Sequence, residues 1–140
     1  MPHTIVRVLV HLVWATWDRT RRLDQEVEAI VRNAIATQAS RLHCPLHAFG
    51  ASDEHVHVLI ELEKKVAIAS LVRALKGASG HDVTRMRPDL QFRWQSQGYG
   101  AFSVSERDPG NVVDYIRSQR ERHRSGDLAA EWESTAVAHE

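Results

Sequence analysis

Apolar residues change their spacing along this chain in a fixed order, and that order constrains the fold more than any single motif. Residues 4–17, TIVRVLVHLVWATW, are β-branched and aromatic with little polar interruption, which reads as a long strand. After the Arg-rich connection WDRTRRL the period becomes helical. Val27, Ile30, Val31, Ala34, Ile35 and Gln38/Ala39 recur from Asp24 to about His43, with Asp24 as the N-cap and Cys44-Pro45 as the stop. Leu46 to Gly50 and His55 to Glu63 are short apolar runs around the turn ASDE, so they are expected to form a hairpin. A second helix is expected from about Ala67 to Arg85, with Ile68, Leu71, Val72 and Leu75 on one face. Residues 86–100, with Pro88 and WQSQGYG, read as irregular. AFSVSE alternates like a strand. After a turn at Asp108-Pro109-Gly110, residues 111–124 are expected to form a last helix.

The order strand, helix, strand, strand, helix, strand, helix is that of a split βαβ fold. It predicts an α+β fold of the ferredoxin-like, RRM-like kind: a mainly antiparallel sheet with helices on one face, and a C-terminal helix carrying Tyr115. The other sheet face is left exposed or covered by a partner. A chain of 140 residues suffices for one domain with a real core, placed at residues 1–125, and 126–140 read as a polar tail onto which Trp132 can dock.

Composition narrows the function classes. Lys plus Arg equals Asp plus Glu at 18 each, so no global basic charge marks a nucleic-acid binder. Most of the cations are Arg, which suits bidentate phosphate contacts better than Lys does. Local basic clusters are Arg19, Arg21 and Arg22; Arg73, Lys76, His81, Arg85 and Arg87; and Arg117, Arg120, Arg122 and Arg124. The last is equally well explained as a solvated helix face paired with Asp114 and Glu121. The single cysteine, Cys44, excludes a disulfide within the chain and fits a reducing cytoplasm. Nothing at the N-terminus reads as a signal peptide, and the run from Ile5 to Trp17, broken by Arg7 and His11, is too short to span a bilayer.

One oddity points to chemistry. In HVHVLIEL, residues 55–62, two histidines sit two apart in a strand, so both rings project from one face. Neutral imidazoles so placed can share a divalent metal. An isolated HxH pair is also explained by hydrogen-bonded strand residues, so it needs a third ligand and a reactive partner. Tyr115 and Gln119, four apart on the last helix, share one helix face. The phenol can act as a nucleophile and the amide oxygen as a ligand. Each is also explained singly, Tyr115 by packing on the sheet and Gln119 by a surface position.

HLVWATWDRTRRL, DEHVHVLIEL, SLVRALKGASGH, FRWQSQGYGAFSVS and VVDYIRSQRERHR follow one another through most of the chain. In order and spacing they resemble the single-tyrosine insertion-sequence transposases of the HUH superfamily, the small IS200-like family. One departure is visible: WQSQGYG carries one residue more between Trp94 and Gly98 than the family pattern, which is expected to lengthen a turn. The resemblance implies that His55, His57 and Gln119 bind a divalent metal, Mg²⁺ or Mn²⁺, and that Tyr115 is the nucleophile. It implies cleavage and rejoining of single-stranded DNA through a 5′-phosphotyrosine. A free phenol has a pKa of ~10, so Tyr115 needs activation. The resemblance further implies recognition of a DNA hairpin through the second-helix region, with Lys76 and Arg73, and Arg117 and Arg120 on the last helix, as DNA contacts. It implies a homodimer with joined sheets in which the tyrosine helix serves the partner's histidines in trans, for which the first strand's apolar run would supply an edge. The place of action would be the bacterial cytoplasm, on the nucleoid, with no membrane. Two other readings of the same residues are a non-enzymatic or domesticated single-stranded nucleic-acid-binding relative and a metallohydrolase whose cleavage survives Tyr115→Phe.

Overall fold

The computed structural model describes residues 3–105 and 110–120. Strand β1 (Val8–Ala15) is buried along all but its first residue. The reason is its place in the sheet. The strand order is β2-β3-β1-β4, with β2 at Leu46–Ala51, β3 at His55–Leu62 and β4 at Gly100–Val104. All three pairings are antiparallel. β1 is thus an interior strand, and packing covers both of its faces. A strand covered on both faces reads as a continuous apolar run rather than an alternating one.

That position corrects one expectation. β1 cannot supply an edge for a second copy, because β3 pairs it from Val8 to Ala15 and β4 from Leu9 to Val13. Among the described residues the sheet edges are β2 and β4. The strand is also shorter than 4–17. β3 ends at Leu62, the partner of Val8, so its pairing with β1 does not extend to residues 4–7. Past Ala15 the chain turns through a short 3-10 segment, Trp17–Arg19, with Thr16 bridging to Trp94.

Helix α1 (Gln25–Arg41) starts where the Asp24 carboxylate accepts from the Val27 N–H at 2.9 Å, and it buries the six apolar residues that set its period. Helix α2 (Ile68–Met86) buries Leu71, Val72, Leu75, Ser79 and Val83. Both helices pack with Val10, Leu12 and Trp14 of β1 and Val56, Val58 and Ile60 of β3. The segment after α2 closes this core. Trp94 meets Trp14 and Phe92 edge-on, at ring separations of 5.8 and 4.8 Å, and donates Nε1–H to Ser79 Oγ at 3.0 Å. Cys44 is fully buried in the same core.

Helix α3 (Gly110–Arg117) lies on the opposite sheet face. Ile116 joins Leu9, Ala48 and Leu59 in a separate cluster. Burying such an isoleucine contributes about 1.5–3 kcal/mol. Gly50 of β2 makes the approach possible: a Cβ there would sit 1.6 Å from the Ile116 carbonyl oxygen. The two-layer expectation therefore holds for α1 and α2, while α3 covers part of the face left open. No helix among the described residues is long and apolar enough to cross a membrane. The Asp108-Pro109 turn, the helix beyond Arg120, Arg122, Arg124, and the tail 126–140 with Trp132 lie outside the described residues.

Candidate active site

His55 and His57 alternate with Val56 and Val58, which point into the α1–α2 core. The two imidazoles therefore face α3, with ring centres 4.9 Å apart and no solvent exposure. Each ring is held through Nδ1. Ser52 Oγ lies 3.0 Å from His55 Nδ1, and His11 Nε2 lies 2.8 Å from His57 Nδ1. Ring nitrogens fixed in this way leave Nε2 as the position through which each histidine would ligate.

α3 brings the other two residues to this face. The Tyr115 ring meets the His57 ring edge-on at 5.6 Å, with only 5% of Tyr115 exposed. Gln119 lies one turn further along. It is fully buried, and its Nε2 donates to the Tyr115 carbonyl at 2.9 Å. Its Oε1 is buried with no hydrogen-bond partner among the described residues. A buried amide oxygen left unsatisfied costs about 1–3 kcal/mol. A cation that took this oxygen together with the two imidazoles would remove that cost, so the donor set fits a divalent metal. No group of three or more His, Cys, Asp or Glu side chains among the described residues could hold one. The third donor of such a set would be an amide oxygen rather than an acid or an imidazole.

His11 is the residue that sequence reasoning missed. It is fully buried on β1, in ring contact with His57 at 5.0 Å and with Phe102 at 5.9 Å. In the register Val13 pairs with His57, and His11 stands two residues before Val13 on the same face. Its period-two relation to the HxH strand exists only once the strands are paired.

The basic residues divide into tied and open ones. Lys76 donates to the Gln95 carbonyl at 2.7 Å, fastening α2 to the loop before β4. Gln95 in turn accepts from the Ala15 N–H through Oε1 at 2.7 Å. Arg73 is exposed beside Lys76 on a groove of about 510 Å³ shared with Trp94 and Tyr99. Arg120 donates to the Leu23 carbonyl and to Glu28 Oε1, both at 2.9 Å, tying the end of α3 to α1. Arg117 is exposed on a second groove of about 470 Å³, which Arg32 and Phe49 also line. Arg19 pairs with Glu54, Arg21 with Asp53, and Arg22 donates to the Leu90 carbonyl. Arg87 bridges Glu26 and Asp89, which holds the Asp89 carboxyl below its usual range.

Known proteins share both the sequence and the fold. The transposase TnpA of ISDra2 from Deinococcus radiodurans is 27% identical over 117 residues, covering 80% of this chain and 84% of that protein. A crystal structure of a candidate transposase from D. radiodurans superposes with a TM-score of 0.69 at 26% identity, over 86% of this chain and 96% of that one. A REP-associated tyrosine transposase bound to a REP hairpin shares the fold, with a TM-score of 0.64 at 18% identity over 91% and 74% of the two chains. The family described as "Transposase IS200 like" matches residues 4–119, a span that takes in both histidines, the tyrosine and the glutamine, and the chain belongs to that family.

Proposed function

We propose that this transposase cleaves and rejoins single-stranded DNA through Tyr115, with a divalent metal held by His55, His57 and Gln119. The observation that carries the reading is the meeting on one sheet face of a buried tyrosine ring, two oriented imidazoles and an unsatisfied buried amide oxygen.

The chemistry is a transesterification. The Tyr115 oxygen attacks the scissile phosphorus and loses its proton. The bond from phosphorus to the 3′ oxygen breaks, and that oxygen leaves as a 3′-hydroxyl. The result is a 5′-phosphotyrosine, whose ester bond replaces the one broken, so a second 3′-hydroxyl can reverse the step on another strand. His55, His57 and Gln119 would hold a divalent cation through three neutral donors, and it would supply Lewis-acid polarisation of the phosphate. Imidazole donors suit Mn²⁺ as well as the Mg²⁺ that oxygen ligands favour. His55 and His57 orient the site, Gln119 fixes it relative to the tyrosine one turn away, and α3 excludes water from all four side chains.

The DNA partner we propose is a single strand with a hairpin at the element end, received along α2 at the Arg73 groove. Lys76 serves there by holding the 95–99 loop in place. Arg117 is the open cation on α3, and Arg120 positions the helix. The working form we propose is a homodimer on nucleoid DNA in the cytoplasm. A single chain seats α3 on its own sheet, so trans action requires two copies to exchange α3. With β1 interior, the sheet edges among the described residues that a second copy could extend are β2 and β4.

The test is a labelled single strand carrying the flanks of the host element, incubated with Mn²⁺ or Mg²⁺ and run on a denaturing gel. A metal-dependent covalent protein–DNA band that Tyr115→Phe abolishes is the expected result. Cleavage persisting in that variant would mean hydrolysis by metal-bound water instead. Binding without cleavage across several flanks would leave a non-enzymatic DNA binder.

A further inference from the structure

Beyond this site, the short segment after β1 carries an exposed aromatic ring that neither the core nor the proposed chemistry uses. Trp14 and Trp94 are 0% and 8% exposed, whereas Trp17 is 44% exposed. The Arg93 guanidinium carbon stands 4.5 Å from the centre of the Trp17 ring. Arg93 makes no ion pair with a carboxylate among the described residues, while Arg19, Arg21 and Arg22 beside it are each tied to a neighbour. Among these described arginines, Arg93 is the one without an ion pair or carbonyl tie, and it lies on an exposed ring.

The pair is rigidly presented. The Trp17 N–H donates to the Arg93 carbonyl at 2.9 Å, and the Thr20 N–H to the Trp17 carbonyl at 3.1 Å. Asp18 and Arg19 follow with φ of 53° and 50°, in the left-handed region. Non-glycine residues persist there when their surroundings impose it. Here Arg19 Nε donates to Glu54 at 3.0 Å, and the Thr16 hydroxyl lies 2.6 and 3.1 Å from the Thr20 and Glu54 carbonyls. The same contacts fix the location. Ala15 pairs with His55, and the Thr16 N–H donates to the Glu54 carbonyl at 2.8 Å, so the turn begins beside the end of β3 that carries the first histidine.

We propose that Trp17 and Arg93 form a stacking platform for one nucleotide of the single strand as it enters the site, the base on the indole and its phosphate at the guanidinium. The assignment rests on the reading of single-stranded DNA as the substrate. A ring with an adjoining guanidinium matches a planar base joined to an anion, and stacking tolerates any base because each has a π-face. Exposed Asp18, Arg21 and Arg22 stand close to Trp17 in the sequence, and the other exposed large apolar side chains among the described residues are Ile5, Val8 and Met86, so charge rather than apolar surface dominates this turn.

The test compares two probes with the same phosphates: fluorescein-labelled oligothymidylate and an abasic oligomer of equal length. Binding to the full chain is read by anisotropy with metal chelated. Trp17→Ala is expected to weaken oligothymidylate binding about tenfold, the worth of one stacked base, and to leave abasic binding unchanged. Trp17→Phe is expected to restore most of the loss. Arg93→Gln is expected to lower the slope of log affinity against log salt by about 0.7, one phosphate contact on a single strand. Equal losses on both probes would overturn the platform, because a distorted turn would affect both alike. Oligothymidylate binding unchanged in Trp17→Ala would also overturn it while leaving the DNA reading intact. A wild-type chain that binds neither oligothymidylate nor a strand with the element flanks would overturn both.

Discussion

His11 Nε2 lies 2.8 Å from His57 Nδ1, and both rings are wholly buried. If His57 ligates through Nε2, its Nδ1 carries the proton and donates to His11, which then accepts through Nε2. In that case His11 would fix the tautomer and the plane of a ligand without being one. His11→Leu keeps the volume and removes the acceptor. Mn²⁺ affinity, followed by electron paramagnetic resonance of free Mn²⁺, is expected to fall about 10- to 100-fold. His11→Gln retains an acceptor oxygen and should recover part of the loss. Equal affinity in wild type and His11→Leu would remove His11 from this role.

Gln119 carries the opposite relation between stability and function. Its Oε1 is buried with no hydrogen-bond partner among the described residues, a cost borne by the metal-free protein. Gln119→Leu removes that cost, so the metal-free chain should be more stable by about 1 kcal/mol. The same variant should lose metal-induced stabilisation. A thermal melt with and without Mn²⁺ reads both effects. A lower Tm with an undiminished metal shift would mean that the amide is structural.

What could be read from the sequence, and what could not, follows from where each contact is made. The periods of α1 and α2, the Asp24 cap and the β2–β3 hairpin are local, so they show in neighbouring residues. His55 with His57, and Tyr115 with Gln119, are legible for the same reason, because strand and helix periods place each pair on one face. The depth of β1 in the sheet, the seat of α3 and the part of His11 all depend on which strands are neighbours. Gly50 did carry a trace of this, as a small residue in an apolar strand, but its reason is a carbonyl 66 residues away at Ile116.

Gly50→Ala tests that seat. An added methyl would overlap the Ile116 carbonyl, so α3 has to lift from β2. Overpacking of this kind costs about 1–3 kcal/mol. Because α1 and α2 pack on the other face, the loss should fall mainly on α3. Hydrogen exchange should accelerate at Val113 to Ile116 while the amides of β1 and β3 stay protected, and DNA cleavage should drop. Uniform loss of protection would show that α3 and the sheet unfold as one unit.

Whether α3 serves its own sheet or a partner's can be decided by mixing two inactive proteins. On the proposed reading, His57→Ala lacks a ligand and Tyr115→Phe lacks the nucleophile. In trans, a mixed dimer pairs the intact histidines of one copy with the intact tyrosine of the other and restores one competent site. In cis, neither copy contains a complete site and the mixture stays inactive. Co-refolding the two at equal amounts gives about half mixed dimers, so recovery of about a quarter of wild-type cleavage per chain is expected for trans exchange. The Arg120 ties to Glu28 and the Leu23 carbonyl make a second handle. Arg120→Ala weakens the hold of α1 on α3 and should speed recovery when separately folded proteins are mixed. No recovery under any of these conditions would place the working tyrosine on its own sheet, where the structure of the single chain already seats it.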